Sequence, residues 1–567
     1  MNLLQKIHTR MALLLVLSVL LSAAACSDDD PLADGGKDPN GPTSDIVDKV
    51  SQYEARKFDG QKRGDVFYEI YVRSFADSDG DGIGDLRGVT SKLDYLDDLG
   101  VAGIWLMPIY ATGSEHGYDV VDYREVCRDY GSMEDMEQLI DEAHKRKIRV
   151  ILDFVPNHTS LRCQWFREAC LSTDNPYRGF YHFSTTKYDR WYPVTKGTTS
   201  YFYQGEFDRS MPDLNYGPAA TCASSPTFKA MTDAAKFWID KGVDGFRLDA
   251  VKHIYNNSTS DENPTFLNRF YTEINRYFQG RSALGFKEVY MVGECWMQTE
   301  QVAPYYKGLP ALFDFDFWDK YLLYAIQNSH AKWFPKDMID TERAFAAYRT
   351  DFIQASKLSN HDQNRTRSAI GGSEALSLQK AKIAAAVLLT ASGSPYIYYG
   401  EEIGMLGDKA RSDNGNTGDR NVRTPMLWAP SANDPVRPTW IKSVINNDTS
   451  VGSVKSQADN EKSIYNVYRK FLRLRNTYPA LAQGDITLPE DFDVADAKNK
   501  QVMAFCRRSG EERLLVIHNV ADHPSTYTIN HAIKQPIADM NRVTVKRIDD
   551  MRHEVELPAY SSIIIEL

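Results

Sequence analysis

Apolar residues along this chain recur in two rhythms. From about residue 64 onward, short unbroken apolar runs alternate with longer stretches in which apolar positions return every three or four residues. The first rhythm belongs to strands buried on both faces and the second to amphipathic helices. Strand-like runs fall at 66–71, 103–107, 149–155, 245–249, 289–294, 311–315, 352–358 and 395–399, and helical stretches include 86–99 and 133–147. Eight strand-then-helix units with doubly buried strands predict an α/β fold, a closed parallel (β/α)8 (TIM) barrel. The spacing breaks once. Residues 158–228 carry many aromatics, Gly and Pro but no clean helix, which predicts a subdomain inserted after the third strand. Beyond Tyr478 short strands take over (501–506, 513–518, 561–567), predicting a C-terminal antiparallel β-sandwich. The expected division is therefore 61–157 and 229–481 for the barrel, 158–228 for the insert and 482–567 for the sandwich.

The N-terminus follows neither rhythm. Lys6, His8 and Arg10 precede an apolar run at 11–21, then Ala23, Ala24, Ala25 and Cys26. A basic start, a short apolar run and small residues form an export signal. The run is shorter than the ~20 residues of a membrane-spanning helix. A cysteine directly after the small residues resembles the bacterial lipoprotein signal, which implies cleavage after residue 25 and lipidation of Cys26. An ordinary secretory signal with an incidental cysteine is the alternative. Residues 26–60 begin with Ser27-Asp28-Asp29-Asp30 and hold little to bury, so they read as a flexible tether. The acidic run after Cys26 resembles the surface-export tag of Bacteroidetes lipoproteins and implies an outer-membrane anchor facing the cell exterior.

Composition narrows the function. The 567 residues include 66 Lys+Arg against 77 Asp+Glu, a formal charge of −11. With no local basic patch, such a surface repels polyanions and argues against nucleic-acid binding. The 32 Tyr, 25 Phe and 9 Trp supply flat faces on which neutral rings stack, or simply core filler. Trp191, Tyr192, Tyr201 and Tyr203 in the insert are open to both readings. No C-x-x-C pair occurs, so zinc has little support, and Cys163 with Cys170 leaves one short-loop disulfide open.

In a parallel barrel the C-terminal strand ends converge on one face. Those ends carry acids here: Asp153 at the third strand, Asp249 at the fourth, Glu294 at the fifth and Asp362 in Asn360-His361-Asp362 after the seventh. Three converging carboxylates repel one another unless a cation shares the site. Arg247, two residues before Asp249, points the same way and would keep that carboxylate ionised. Two carboxyls flanking one bond are what glycoside hydrolysis needs. No G-x-S-x-G elbow, P-loop or G-x-G-x-x-G stands in a strand–helix setting.

Together these blocks resemble the α-amylase family of glycoside hydrolases. They are Asp153 to His158, Met211-Pro212-Asp213-Leu214-Asn215, Gly245 to His253, Gly293-Glu294, Asn360-His361-Asp362 and Gly393 to Glu402. The resemblance implies a barrel, a B domain and a β-sandwich C domain. It implies that Asp249 is the nucleophile, Glu294 the acid/base and Asp362 the transition-state stabiliser. His361 would assist Asp362, Arg247 would orient Asp249, and Tyr118 and His158 would cradle the sugar, with Asp153 a structural acid below. Lys252 and His253 resemble the residues of α-1,4-acting members, as does Ala250, whereas the Met211–Asn215 block resembles a group between oligo-1,6-glucosidases and neopullulanases. The implied reaction is retaining cleavage of α-1,4 bonds in starch and maltooligosaccharides. The enzymatic alternatives are α-glucosidase, neopullulanase and glucanotransferase; a glycan-binding barrel without activity is the alternative of another class. A starch-utilisation system implies glycan-binding and porin-like partners.

One loop points to a metal. Asp77, Asp79, Asp81 and Asp85 alternate with residues that allow tight winding, and the Ile83 carbonyl falls between them, an oxygen pattern that suits Ca²⁺. A similar loop occurs in oligosaccharide-cleaving family members. Asn157, Asp213 and the His253 carbonyl match the family's second calcium site, between barrel and B domain.

Overall fold

The computed structural model describes residues 64–194 and 201–567. The expected leader (1–25), Cys26 and the tether to residue 60 therefore lie outside the described residues. Eight parallel strands close in chain order into a barrel: β1 (Phe67–Ile70), β2 (Gly103–Leu106), β3 (Arg149–Phe154), β4 (Gly245–Leu248), β5 (Tyr290–Gly293), β6 (Ala311–Asp314), β7 (Ile353–Lys357) and β8 (Ser394–Tyr398), with β8 returning to β1. Alternate side chains of these strands fill the barrel, among them Phe67, Trp105, Ile151, Val292, Phe313 and Tyr396. Their neighbours, such as Tyr68, Ile104, Val150 and Leu152, face the surrounding helices. Both faces are dry, which is why the strands read as continuous apolar runs. Gly103 opens β2 because a Cβ there would lie 2.4 Å from the Phe67 ring, which occupies the barrel interior beside it.

The helices start and stop where local chemistry directs. Ser132 caps the helix Met133–Lys145 through a reciprocal capping box with Asp135. Ser225 caps Pro226–Asp240, with Pro226 at the first helical position, where its missing N–H costs nothing. The stretch read as one helix at 86–99 is two, Leu86–Thr90 and Leu93–Leu99. The inserted region holds a short helix Gln164–Ala169 and a three-stranded sheet of Phe183–Ser184, Phe202–Gln204 and Trp191–Pro193. Cys163 and Cys170 flank that helix at opposite ends, with no disulfide between them. Of the four insert aromatics, Tyr203 is buried and the other three are half-buried.

The C-terminal strands form a five-stranded and a three-stranded antiparallel sheet. Strict alternation assigns their faces. Val502, Ala504, Leu515, Ile517, Ile563 and Ile565 build the core between the two sheets. Met503, Phe505, Leu514, Val516 and Ile564 join the large core of the barrel. Among the described residues no helix is long and apolar enough to cross a membrane.

Candidate active site

The barrel mouth gathers the acids that the strand ends carry. Asp249 is the first residue beyond β4 and Glu294 the first beyond β5. Ala250 adopts a left-handed φ of 50°, which turns the chain sharply after Asp249 and aims its own N–H at Glu294 Oε2, 3.0 Å away. Asp249, Glu294 and Asp362 all line one cavity of about 470 Å³, together with Tyr118, His158, Lys252 and His253.

Arg247 lies beneath them, fully buried. Its Nη1 donates to Asp153 Oδ1 at 2.7 Å and to Asp249 Oδ1 at 2.8 Å, and its Nη2 is paired with Glu294 Oε2 at 3.1 Å. One guanidinium thus serves three carboxyls. Burial pushes the Asp249 carboxyl well above the ordinary carboxylate range; Arg247 opposes the shift, and Glu294, Asp153 and Asp362 add to it. Arg247 alone was expected to keep Asp249 ionised. The structure shows that cation divided among Asp153, Asp249 and Glu294, and burial outweighs its pull on Asp249. Asp153 also accepts from the Tyr118 hydroxyl at 3.0 Å and from the Trp105 indole at 3.2 Å.

Asp362 stands in the opposite electrostatic setting. His361 Nε2 lies 3.0 Å from its Oδ2 and Arg423 Nη2 donates to its Oδ1 at 2.8 Å. Burial raises this carboxyl, but the charges of His361, Arg423 and Arg247 outweigh burial and hold it well below the usual range. Burial lowers His361, while Asp362 on one side and buried Glu69 on the other raise it to about 9. The Tyr118 hydroxyl lies 2.7 Å from His361 Nε2, and the two rings stack with centroids 5.5 Å apart. His158 is buried and pushed down to about 3, chiefly by desolvation; His253, lowered by burial and by Lys252, lies at about 4. Both rings are therefore neutral near pH 7. Lys252 Nζ donates to the Trp296 carbonyl at 2.9 Å.

Sequence reading missed several contributors. Arg423, Asp419 and Lys409 come from the long irregular segment after β8, where no periodicity marks them. Glu69 left a signal, an acid inside the apolar run of β1. Phe207 and Trp296 are 46% and 42% exposed, unusual for large apolar side chains, and both line the cavity. None of Trp191, Tyr192, Tyr201 or Tyr203 does.

The expected metal loop is partly assembled. Carboxylate oxygens of Asp77, Asp79 and Asp85 lie within 4.8 Å of one another. Oxygens 2.3–2.6 Å from one Ca²⁺ lie at most about 5 Å apart, so this set fits a common cation. Asp81 is not in that group; its Oδ1 instead accepts the Ile83 N–H at 2.7 Å. Elsewhere Asn157 Nδ2 reaches Asp213 Oδ1 at 3.3 Å, and the Glu206 N–H donates to Asp213. His253 Nδ1 lies 3.6 Å from Glu206.

A closed (β/α)8 barrel whose strand ends converge three acids on a ring-sized hollow is the architecture of a glycoside hydrolase. Comparison with known proteins gives the family. The alpha-amylase catalytic domain matches residues 69–484, and the alpha-amylase SusG C-terminal domain matches 502–564. The chain belongs to the α-amylase family. It is 34% identical to alpha-amylase SusG of Bacteroides thetaiotaomicron, over 99% of each chain. That alignment runs over 705 positions against 567 residues, so the relative carries insertions that this chain lacks. Alpha-amylase 3 of Dictyoglomus thermophilum is 37% identical over 88% of this chain and 93% of its own. The crystal structure of alpha-amylase from H. orenii superposes with a TM-score of 0.76 at 34% identity, covering 89% of this chain and 100% of that one.

Proposed function

We propose that this enzyme cleaves the α-1,4 bonds of starch and maltooligosaccharides with retention of anomeric configuration. The observation that carries the reading is the shared cavity of Asp249, Glu294 and Asp362 over one buried guanidinium. Asp249 attacks the anomeric carbon while the Glu294 acid protonates the departing glycosidic oxygen, leaving a glycosyl ester on Asp249. Glu294, now a base, takes a proton from water, which attacks the same carbon and releases Asp249. Asp362, kept ionised by His361 and Arg423, accepts hydrogen bonds from the ring hydroxyls as positive charge develops at the anomeric centre. Tyr118, stacked on His361, and neutral His158 border the same ring. The α-1,4 preference is supported by Ala250, Lys252 and His253 and by the α-amylase names of the relatives above. NMR of the first products from maltooligosaccharides checks it: α-anomers are expected, and β-anomers overturn the double displacement. Release of glucose from isomaltose but not from amylose would turn the reading to α-1,6 action.

Asp77, Asp79 and Asp85, with Asp81 and the Ile83 carbonyl, would hold Ca²⁺, and Asn157, Asp213 and the His253 carbonyl a second ion. Bound calcium would supply positive charge that pins these loops. The leader at 1–25, lipidated Cys26 and the tether of 26–60 would anchor the barrel (61–157 and 229–481), insert (158–228) and sandwich (482–567) outside the outer membrane. Glycan-binding and porin-like partners would take the products. Metabolic labelling with palmitate tests the anchor: label is expected on the native protein and absent from Cys26→Ser.

A further inference from the structure

One acid inside the barrel takes no part in the bond-making above. Glu69 stands on β1 two residues after Phe67, so it shares the inward face of that strand and lies one layer nearer the mouth. It is 1% exposed, a depth at which acids are almost never found unpaired. Its Oε1 lies 2.5 Å from His361 Nδ1. The Lys357 ammonium, whose charge also reaches Glu69, bonds to the Gln363 amide instead. His361 is therefore the cation that Glu69 meets directly.

Counting protons fixes the state of the His361 ring. Nδ1 faces the Glu69 carboxylate. Nε2 faces Asp362 Oδ2 at 3.0 Å and the Tyr118 oxygen at 2.7 Å. Tyr118 has a single O–H, and Asp153 accepts it at 3.0 Å, so the Tyr118 oxygen is left as an acceptor toward His361. Acceptors thus stand at both ring nitrogens. A neutral imidazole carries one N–H and one lone pair, and that lone pair would confront an acceptor at one end or the other. Only the imidazolium satisfies every partner.

The ring is also the second member of a row in which charge alternates. From the barrel interior outward come Glu69, His361, Asp362, Arg423, Asp419 and Lys409, each paired with the next. The signs cancel along the row, so Asp362 keeps its charge beside the sugar while the row adds none to the pocket. Without Glu69 the inner end would be a buried cation lacking its counter-charge, a state the ring escapes by giving up its proton.

We propose that Glu69 is a positioning residue that keeps both nitrogens of His361 protonated, so that Asp362 meets an imidazolium throughout turnover. The proposal rests on the retaining reading above, in which Asp362 steadies positive charge at the anomeric centre. The other titratable and charged groups that face this pair are Asp153 on β3, Arg247 on β4, Lys357 on β7 and Tyr398 on β8, with Tyr118 and Arg423 from loops. Glu69→Gln leaves all of them in place.

α-Maltosyl fluoride isolates the effect, because fluoride leaves without a proton from Glu294 and the alkaline limb of that acid drops out of kcat/KM. In the wild-type enzyme the remaining limb is expected near the His361 value of about 9. Glu69→Gln should move it down by about one pH unit or more, and the ratio of kcat/KM at pH 6 to that at pH 9 should grow roughly fivefold. Glu69→Asp keeps the charge and should restore part of the shift. A limb that stays in place in Glu69→Gln, or a loss of equal size at both pH values, overturns the proposal. Proton NMR of the wild-type protein carrying isotope-labelled histidine reads the ring without any variant at Glu69. Two downfield ring N–H signals that vanish in His361→Gln are expected at pH 7, and a single one overturns the proposal. A wild-type enzyme that leaves α-maltosyl fluoride intact refutes the retaining reading, whereas the ring protons decide by themselves the state that Glu69 imposes.

Discussion

Two acidic clusters on this barrel meet the same electrostatic problem in opposite ways. At the mouth, Asp153, Asp249 and Glu294 surround Arg247, a cation supplied by the chain itself. In the loop after β1, Asp77 accepts the N–H groups of Gly80 and Gly82, and Asp85 accepts those of Ser78 and Gly88. Those partners are dipoles rather than full charges, so that cluster is left with room for an imported ion. The comparison teaches what each acid is for. A covalently attached cation cannot leave, so the catalytic cluster keeps its poise during turnover. The proposed imported cation would be removable, which would suit a loop whose task is to hold shape.

Breaking the first cluster at its reacting atom has the largest effect. Asp249→Asn is expected to lower kcat on amylose by about 10⁴-fold or more while circular dichroism stays native. Activity within tenfold of wild type would remove Asp249 from the chemistry. Removing the shared cation comes next: Arg247→Met strands three buried carboxyls and should cost about 3–5 kcal/mol in denaturant unfolding. Adding Asp153→Asn to that variant should recover part of the loss, because one uncompensated charge disappears. A double variant no more stable than the single one would show that Arg247 acts by packing.

Breaking the second cluster should be milder and reversible. Chelation by EDTA is expected to lower Tm, and ion at a hundredfold excess over its Kd restores about 2.7 kcal/mol. Asp77→Asn should remove the part of both responses that belongs to this loop, leaving only the part due to the second proposed ion. A Tm that ignores chelator in the wild-type protein removes the imported ion from the comparison.

The pH responses sharpen it further. Asp249 reacts only when ionised, and its carboxyl is raised, so kcat/KM should fall as pH drops through a limb lying above the ordinary carboxylate value of about 3.9. A limb at or below that value would mean that Arg247 serves Asp249 alone. His361 gives the smallest effect. Its folded value of about 9 lies above the ~6.5 of an unfolded histidine. Its contribution to stability is therefore complete below about pH 6.5 and is lost as pH rises through about 9. Melting curves from pH 6 to 10 should show that decline, and His361→Gln should flatten it.

How much of this was legible from sequence follows from where each residue sits. The barrel strands were readable because both of their faces are buried, and Asp249, Glu294 and Asp362 because a strand end is a fixed address. The split of the helix at Ser91 and Lys92 was not, since its apolar spacing continues across the break. Arg423 reaches Asp362 from a segment without periodicity, so nothing in its neighbours announced it. The insert aromatics drew attention by composition, yet the exposed walls of the cavity are Phe207 and Trp296. Composition locates aromatic residues; only the closed fold says which of them face a hollow.

The five-stranded C-terminal sheet, buried on both of its faces, has one further consequence. Cutting the chain ahead of it would strip Met503, Phe505, Leu514, Val516 and Ile564 from the shared interior and bare a greasy flank on the remaining enzyme. The tail therefore behaves as a welded keel rather than a cargo pod. Attempts to shorten the enzyme should begin at its loops, and grafting this tail elsewhere requires carrying along the surface that it seals.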